Sequence, residues 1–373
     1  MKVLQVLWST GTSSGVSNVV MNYYRNINKD KVQFDFLVLS LPNNSFNNEI
    51  NELGGMVYKF TVPGIKTYFK TLKDLKEFFK EHGREYDIIH CHELLVAKMV
   101  YKYARKYGNV KCISHSHNTK LSEKPLRAIR NRILVSGLAP KSDYCFACSK
   151  EAGQNAFGKK IINDKKYKTI YNAINLNNYV YNSEGRKKIR EELGLQDKFV
   201  LGNVGRLCSQ KNQKFAVDVL KELLKIRQDV RLLFVGYGKE ESGVLDYVNT
   251  SGLLEYVIFT DNRKDVGDLL SAMDCFVFPS LFEGLPVALI EAQSNGLQTI
   301  YFDSLTKEVA ILDSVRIMAN DSTPKDWSDT VVALDGVSEN ERRGCFEKIK
   351  QAGFDIVEQA KRLEDIYYNI KSL

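Results

Sequence analysis

The chain has 373 residues, 44% of them hydrophobic and 26% charged, with 7 prolines; such composition is globular, and the length suits about two domains. No apolar run approaches the ~20 residues that cross a bilayer, and Met1-Lys2-Val3-Leu4-Gln5-Val6-Leu7-Trp8 has the wrong length and flanks for a signal peptide, which argues for a cytoplasmic protein. The formal charge of +8 is uneven, because residues 1–180 hold 28 Lys+Arg against 14 Asp+Glu and the remainder 25 against 31. A first half of that sign suits a polyanion (nucleic acid, an anionic membrane surface or a phosphate-bearing acceptor) or is a solvated lysine-rich surface.

In chain order, the first strand is expected at 3–8. It runs into Ser9-Thr10-Gly11-Thr12-Ser13-Ser14-Gly15, and a helix opens near Val16. A Gly/Ser/Thr loop at a helix start offers free N–H groups and a positive dipole end to an anion, although this one is neither a GxGxxG nor a P-loop. Strands at 34–39 and 56–60 follow, then a helix at 68–79 with Lys70, Lys73, Lys76 and Lys80 on or beside it. Strands at 88–91 and 111–115 come next, the latter ending in Ser114-His115-Ser116-His117-Asn118. Two histidines at a strand end read as metal ligands, a pH-sensitive pair or a polar site, and no nearby Asp, Glu or Cys completes a metal set. A basic amphipathic helix at 125–134, with Arg127, Arg130 and Arg132, and a strand at 144–147 complete the first half.

A polar stretch at 175–198 separates this half from a second series of strands at 200–204, 231–235, 257–259, 275–278 and 298–302, with a helix at 215–227. Short strands alternating with helices indicate parallel doubly wound sheets, two of them, whose ligands bind beyond the strands' carboxyl ends. After the strand at 200–204, the loop Gly205-Arg206-Leu207-Cys208-Ser209-Gln210-Lys211-Asn212 puts Arg206 and Lys211 at a helix start. Cations are unfavourable there unless an anion arrives, and a diphosphate would fit. After 275–278, Glu283-Gly284-Leu285-Pro286 forms a loop and Val287 begins a helix that carries Glu291. Each carboxylate could grip the hydroxyls of a sugar ring, with phosphates between them; a nucleotide diphosphate sugar has that order of parts. The 7 cysteines include Cys145-Phe146-Ala147-Cys148, but no second pair accompanies it, and buried free thiols are expected.

With these motifs on the page, the chain resembles the retaining family-4 glycosyltransferases of the GT-B fold. EGLPVALIE is similar to that family's glutamate–seven residues–glutamate signature, and VGRLCSQKN to its diphosphate loop. GVSNVVMNYYRNI, KVQFDFLV, DIIHCH, ISHSHN, IYNAIN, NRKDVGDLLSAMDCFVFPS and EAQSNGL resemble the branch that builds bacterial capsular and exopolysaccharides. The resemblance implies two Rossmann-like doubly wound parallel-sheet domains facing a cleft, with residues 1–178 binding the acceptor, 179–355 binding the nucleotide sugar, and a helix at 356–373 packing back on the first domain. It implies that Gly15 admits the donor diphosphate, that Arg206 and Lys211 neutralise it, that Glu283 orients the donor sugar and Glu291 the ribose, and that Gly284, Leu285, Pro286 and Val287 line the donor site. Arg263 would lie near the base. His117 would sit beside the reacting sugar, with His115 as second choice and Asn118 and Asn172 as secondary positions.

The implied reaction is transfer of a hexose or N-acetylhexosamine from a UDP-sugar to a saccharide, carried on a polyprenyl diphosphate. No cofactor or metal is implied, since the sequence has no Asp-x-Asp triplet. The basic half would rest on an anionic membrane surface at the inner face of the cell membrane. A nucleotide-sugar epimerase or hydrolase on the same scaffold is the alternative; a nucleic-acid binder is not expected, as the lysines lack interleaved stacking residues or a helix-turn-helix.

Overall fold

The computed structural model describes residues 1–120, 122, 125–261 and 263–372. The chain divides into two units, Met1–Ile174 with Ile356–Leu373, and Asn175–Asp355. In the first unit the strands are β1 (Lys2–Ser9), β2 (Gln33–Ser40), β3 (Val57–Lys59), β4 (Ile88–Cys91), β5 (Lys111–Ser116), β6 (Tyr144–Ala147) and β7 (Tyr167–Thr169). Its helices up to that point are α1 (Gly15–Asn26), α2 (Asn47–Glu52), α3 (Tyr68–His82), α4 (Leu94–Tyr107), α5 (Pro125–Val135) and α6 (Lys150–Phe157). The second unit has β8 (Phe199–Val204), β9 (Val230–Val235), β10 (Val257–Phe259), β11 (Cys275–Phe278), β12 (Gln298–Phe302) and β13 (Val315–Met318). Its helices are α7 (Ser183–Glu192), α8 (Gln213–Leu223), α9 (Glu241–Thr250), α10 (Val266–Ala272), α11 (Val287–Ser294), α12 (Pro324–Val332) and α13 (Glu339–Ile349), and α14 (Ile356–Ser372) then returns to the first unit.

Both sheets are parallel throughout, in the order β3-β2-β1-β4-β5-β6-β7 and β10-β9-β8-β11-β12-β13 among the described residues. This is the pair of doubly wound sheets of the GT-B fold. β7 and β13, each at a sheet edge, were not expected from the sequence. They are short, and β13 is largely exposed, so neither shows the apolar run that marks a central strand.

Alternation along the strands sorts side chains onto two faces. In the first unit Val3, Leu7, Ile88, Ile113 and Phe146 face α1 and α14, meeting Val19, Val20, Tyr23, Ala360, Leu363 and Tyr367. Leu4, Val6, Leu37, Ile89, Cys91 and Cys112 face α3 and α4, meeting Leu75, Phe79, Ala97, Val100 and Tyr101. α14 therefore supplies part of the core of a sheet whose strands lie hundreds of residues earlier; the Ile356 amide donates to the Ile174 carbonyl at 3.0 Å as it enters. α14 carries three residues of each charge, so the first unit keeps a net charge of +14 against −6 for the second.

In the second unit Leu201, Leu232, Phe234, Cys275, Val277 and Ile300 pack on Ala216, Val219, Leu220 and Leu223 of α8 and on Trp327. Buried Arg342 binds the ends of α10 and α11, donating to the carbonyls of Asn295, Leu270 and Met273 at 3.1, 3.2 and 3.1 Å. Gly296 ends α11 at φ 73°, and a Cβ there would stand 2.4 Å from the Arg342 Cα, so this close approach requires glycine.

Truncating the α14 core contact tests whether that helix belongs to the first unit's folding free energy. Leu363→Ala removes a side chain that is 3% exposed and should cost about 2–5 kcal/mol, read as a lower denaturant midpoint at unchanged slope. An unchanged midpoint would contradict the packing described.

Candidate functional site

In the second unit the strand order reverses between β8 and β11, which pair through Cys275↔Leu201 and Phe276↔Gly202. Crossovers leave these neighbours in opposite directions, so a crevice opens beyond their carboxyl ends. The loop after β8 approaches the loop after β9 backbone to backbone: Gly236 has φ 128°, and a Cβ there would lie 2.3 Å from the Gly205 carbonyl. Gln210 then joins the β8 loop to the β11 loop. Its carbonyl accepts from the Leu281 amide at 2.9 Å, and its side chain donates to the Phe282 carbonyl at 2.8 Å.

That junction brings Lys211 and Glu283 together. Lys211 Nζ lies 2.8 Å from Glu283 Oε1, the two side chains being only 15% and 13% exposed. The Ser280 hydroxyl sits 2.6 Å from the same oxygen, and the ammonium also stands 4.5 Å from the Phe278 ring centre. Gly284, Leu285 and Pro286 are buried, and Val287 opens α11. One turn on, atoms enclose the Glu291 carboxyl, and burial pushes its pKa up to about 7 against the pull of a Tyr179 hydrogen bond and the Lys211 charge. The negative charge on Glu291, with burial, holds the Tyr179 phenol well above its ordinary range, so the hydroxyl remains a donor to the carboxylate.

Arg206 is exposed, and its carbonyl accepts from Gln213 Nε2 at 2.9 Å. Arg263 is held in ion pairs, with Asp265 at 2.6 Å and Glu192 of α7 at 2.5 Å. Tyr179, in the polar segment between the two series of strands, is a partner that sequence reasoning missed; an aromatic residue among asparagines was its one signal.

In the first unit the strand order reverses between β1 and β4. The carboxyl ends of β4 and β5 carry His90-Cys91-His92 and His115-Ser116-His117, and alternation puts all four imidazoles on one face, with ring centres 4.0 to 5.1 Å apart. His90 Nε2 meets His115 Nδ1 at 3.0 Å, and His92 Nδ1 meets His117 Nε2 at 2.7 Å. Two residues the sequence did not single out close the arrangement. Gln5 of β1, in register with His90, places Oε1 2.8 Å from His92 Nε2, and Tyr367 of α14 places its hydroxyl 2.6 Å from His90 Nδ1. The repeated H-x-H at two strand ends was the available sign of His90 and His92. Asn172 is buried beside His117, while Asn118 is exposed, its carbonyl accepting from Ser116 Oγ at 3.3 Å. Gly15 opens α1 behind the Ser14 cap, and a Cβ there would meet no atom within 4 Å, so packing within the chain does not call for glycine.

Burial holds His90, His92 and His115 well below the usual imidazole range, helped by the neighbouring rings. It brings His117 down to about 4, against the upward pull of nearby Asn172. The cluster is therefore neutral at pH 7. His90, His92 and His115 each offer a nitrogen within 4.8 Å of the others, the one such metal-ligand grouping among the described residues. Those nitrogens already bond one another, Tyr367 and Gln5, and no carboxylate in the grouping offsets a buried dication, so the donor set fits a hydrogen-bond network better than a metal. Cys91, Cys112, Cys145, Cys148 and Cys275 are buried free thiols, and Cys208 and Cys345 are partly exposed.

Residues 13–178 match the model of Glycosyltransferase Family 4, and residues 198–335 match that of Glycosyl transferases group 1. Among curated relatives, the chain is 28% identical to the glycosyltransferase EpsF of Bacillus subtilis (strain 168), with 98% of this chain and 96% of that protein covered. It is 26% identical to the capsular polysaccharide biosynthesis glycosyltransferase CapH of Staphylococcus aureus, over 89% and 90% of the two chains. It is 24% identical to an Escherichia coli UDP-Gal:alpha-D-GlcNAc-diphosphoundecaprenol alpha-1,3-galactosyltransferase, over 96% and 94%. Among solved structures, Anabaena Alr3699/HepE in complex with UDP superposes with a TM-score of 0.78 at 18% identity, covering 99% of this chain and 100% of that one; at that identity it shows the shared fold.

The histidines and Glu291 make opposite contributions to stability as pH falls. Imidazoles kept neutral when folded but titrating near 6.5 when unfolded stabilise fully above that value, and the contribution is lost as pH falls from about 6.5 towards the folded value, near 4 for His117. Glu291, raised to about 7, stabilises at low pH and loses that contribution as pH rises through 7. Hydrogen exchange at pH 5.5 against pH 7.5, corrected for intrinsic rate, should show lost protection in β4 and β5 but not in α11. Equal loss in both units would contradict the assignment.

Proposed function

Because the chain belongs to the group 1, family 4 glycosyltransferases, we propose that it moves a hexose or N-acetylhexosamine from a UDP-sugar to a saccharide carried on a polyprenyl diphosphate, with retention at the anomeric carbon, in capsule or exopolysaccharide assembly. Its relatives' names support the polysaccharide context and, in one case, the diphospho-lipid acceptor. The observation that carries the reading is the Lys211–Glu283 contact, 2.8 Å between nearly buried opposite charges at a switch point. Such a pair can be exchanged. A diphosphate takes the Lys211 ammonium, aided by exposed Arg206, and Glu283 is released to accept hydroxyls of the donor sugar. Gly15 admits the diphosphate in the first unit, and Gly284 to Val287 bring the first amides of α11 to it. Glu291, ionised and held by Tyr179, accepts from the ribose hydroxyls. Arg263 keeps its carboxylates and borders the base.

The acceptor hydroxyl attacks the anomeric carbon on the face the diphosphate leaves. The new C–O bond forms as the donor C–O bond breaks, its electron pair goes to the β-phosphate oxygen, and the hydroxyl proton follows it there. Two cationic side chains and a helix N-terminus stabilise the departing charge without a metal. His117, with His115 and Asn172 around it and Asn118 at the rim, holds hydroxyls of the reacting sugar.

Thermal unfolding with UDP, GDP, ADP and their sugars, in chelator, tests the donor site: a ligand at a hundred times its Kd adds about 2.7 kcal/mol. We expect UDP alone among the bases to stabilise, and Glu283→Gln to cut transfer roughly 100-fold while UDP still binds. Undiminished transfer by Glu283→Gln would remove that carboxylate from the reaction, and sugar released equally with and without acceptor would make the protein a hydrolase.

The first unit's charge of +14 is proposed to meet the membrane at the cytoplasmic side through α3 and α5. Leu126, Ile129 and Ile133 of α5 are 83%, 60% and 68% exposed at helical spacing, beside Arg127, Arg130 and Arg132; Phe69 of α3 is 81% exposed beside Lys70 and Lys73. No described helix is long and apolar enough to cross a membrane. Basic residues near an anionic surface contribute about 1 kcal/mol each. Vesicles containing phosphatidylglycerol should sediment the protein, and the double change Ile129→Asp with Ile133→Asp should abolish this at unchanged thermal stability. Equal recovery on phosphatidylcholine would argue against it.

A further inference from the structure

We infer that Gln5 and Tyr367 are positioning residues that fix which nitrogen of each of the four clustered histidines carries hydrogen, and so give His115 and His117 opposite free ends: a hydrogen on His115 Nε2 and a lone pair on His117 Nδ1. The inference rests on the transferase reading only for what those ends do.

The wiring follows from one amide. Gln5 is 1% exposed, and its two side-chain atoms have opposite polarity. Its Nε2 donates to the Tyr367 hydroxyl oxygen at 3.4 Å. That leaves the hydroxyl's own hydrogen for His90 Nδ1 at 2.6 Å. His90, accepting at Nδ1, carries hydrogen on Nε2 and donates it to His115 Nδ1 at 3.0 Å. His115 therefore carries its hydrogen on Nε2, a buried atom without a hydrogen-bond partner among the described residues. A neutral imidazole has one donor and one acceptor, so each step forces the next.

The other end of Gln5 starts the second chain. Oε1 can only accept, so His92 donates from Nε2 at 2.8 Å. Its Nδ1 then accepts from His117 Nε2 at 2.7 Å, and His117 keeps the lone pair on Nδ1, a buried atom without a hydrogen-bond partner among the described residues. An amide oxygen does not take up a proton at ordinary pH. A proton accepted at His117 Nδ1 is shared with His92 but cannot drain past Gln5, and it must be returned through His117. The His115 hydrogen, lacking an acceptor within the described residues, suits an oxygen atom of a sugar hydroxyl or of water. Stacked 4.0 Å apart, the two rings offer one donor and one acceptor to the hydroxyl groups of a substrate.

A carboxylate at position 5 breaks the asymmetry, because it accepts at both ends. In Gln5→Glu the Tyr367 hydroxyl should donate to the carboxylate, its oxygen should accept from His90 Nδ1, and the hydrogen on His115 should move to Nδ1. His92 and His117 should stay as they are. Nitrogen-15 histidine spectra of the full chain read this directly: all four rings protonated at Nε2 in the native protein, with His90 and His115 alone inverted in Gln5→Glu. Tyr367→Phe, which keeps the ring and removes the hydroxyl, should leave His90 and His115 without a single tautomer while His92 and His117 remain fixed. Unaltered His90 and His115 signals in both variants would overturn the inference, as would mixed tautomers in the native protein. These spectra need no substrate, so they stand apart from the transferase reading. For the reaction itself, Tyr367→Phe should lower kcat roughly tenfold with the UDP-sugar KM unchanged; an unchanged kcat in a variant whose tautomers have scrambled would overturn the positioning role.

Discussion

Parallel strands cannot be joined by a tight turn; each must return through a crossover, usually a helix, before the next strand begins. That constraint governs both units. It covers the sheet faces with helices, makes the central strands apolar on both sides, and collects every strand-to-helix loop at one end of the sheet. Where the crossovers change direction, between β1 and β4 and between β8 and β11, two loops part and leave a crevice. The histidine cluster lies at the first of these points and the Lys211–Glu283 pair at the second. The polar groups are thus gathered where the backbone topology leaves room for them.

The two sites handle charge in opposite ways. The first unit keeps four imidazoles neutral by burying them against one another, and a tyrosine and a glutamine take the hydrogen bonds that water would have taken. The second unit keeps its charges, balancing Lys211 against Glu283 and setting the Glu291 carboxyl against the Tyr179 hydroxyl. A neutral array suits uncharged hydroxyl groups, whereas exchangeable charges suit a diphosphate. The difference also follows the net charges of the units, +14 and −6, since the acidic unit would meet the proposed diphosphate with a few local cations while the basic unit carries a net positive charge.

Much of this was legible from the residues. Eleven strands, the edge strands β3 and β10 among them, could be placed because each lies in a short, mostly apolar run, and the loops after 204 and 278 stood out because glycine, proline and charge interrupt apolar segments. β7 and β13 were not legible, since Lys168 and Arg316 sit inside them and leave no continuous apolar run. Side-chain pairing was the other limit. Glu192 is 71 positions from Arg263, and Tyr367 is 277 from His90, distances over which a sequence carries no spacing rule. The histidines could be suspected as a group from H-x-H at two strand ends, but their order of donors and acceptors depends on Gln5, an unremarkable residue in an apolar strand.

α14 gives the chain an order of completion. The strands of the first unit are translated before any of the second, yet the face bearing Val3, Ile88 and Ile113 stays partly uncovered until residues 356–372 have been made. Asn175–Asp355 can close its own core earlier. A ribosome-bound chain thus holds an exposed apolar sheet face and four unscreened imidazoles for as long as the second unit takes to synthesise. The later-made unit can complete its core first, and the earlier one carries partly uncovered apolar surface in the interval, the kind of surface that chaperones shield.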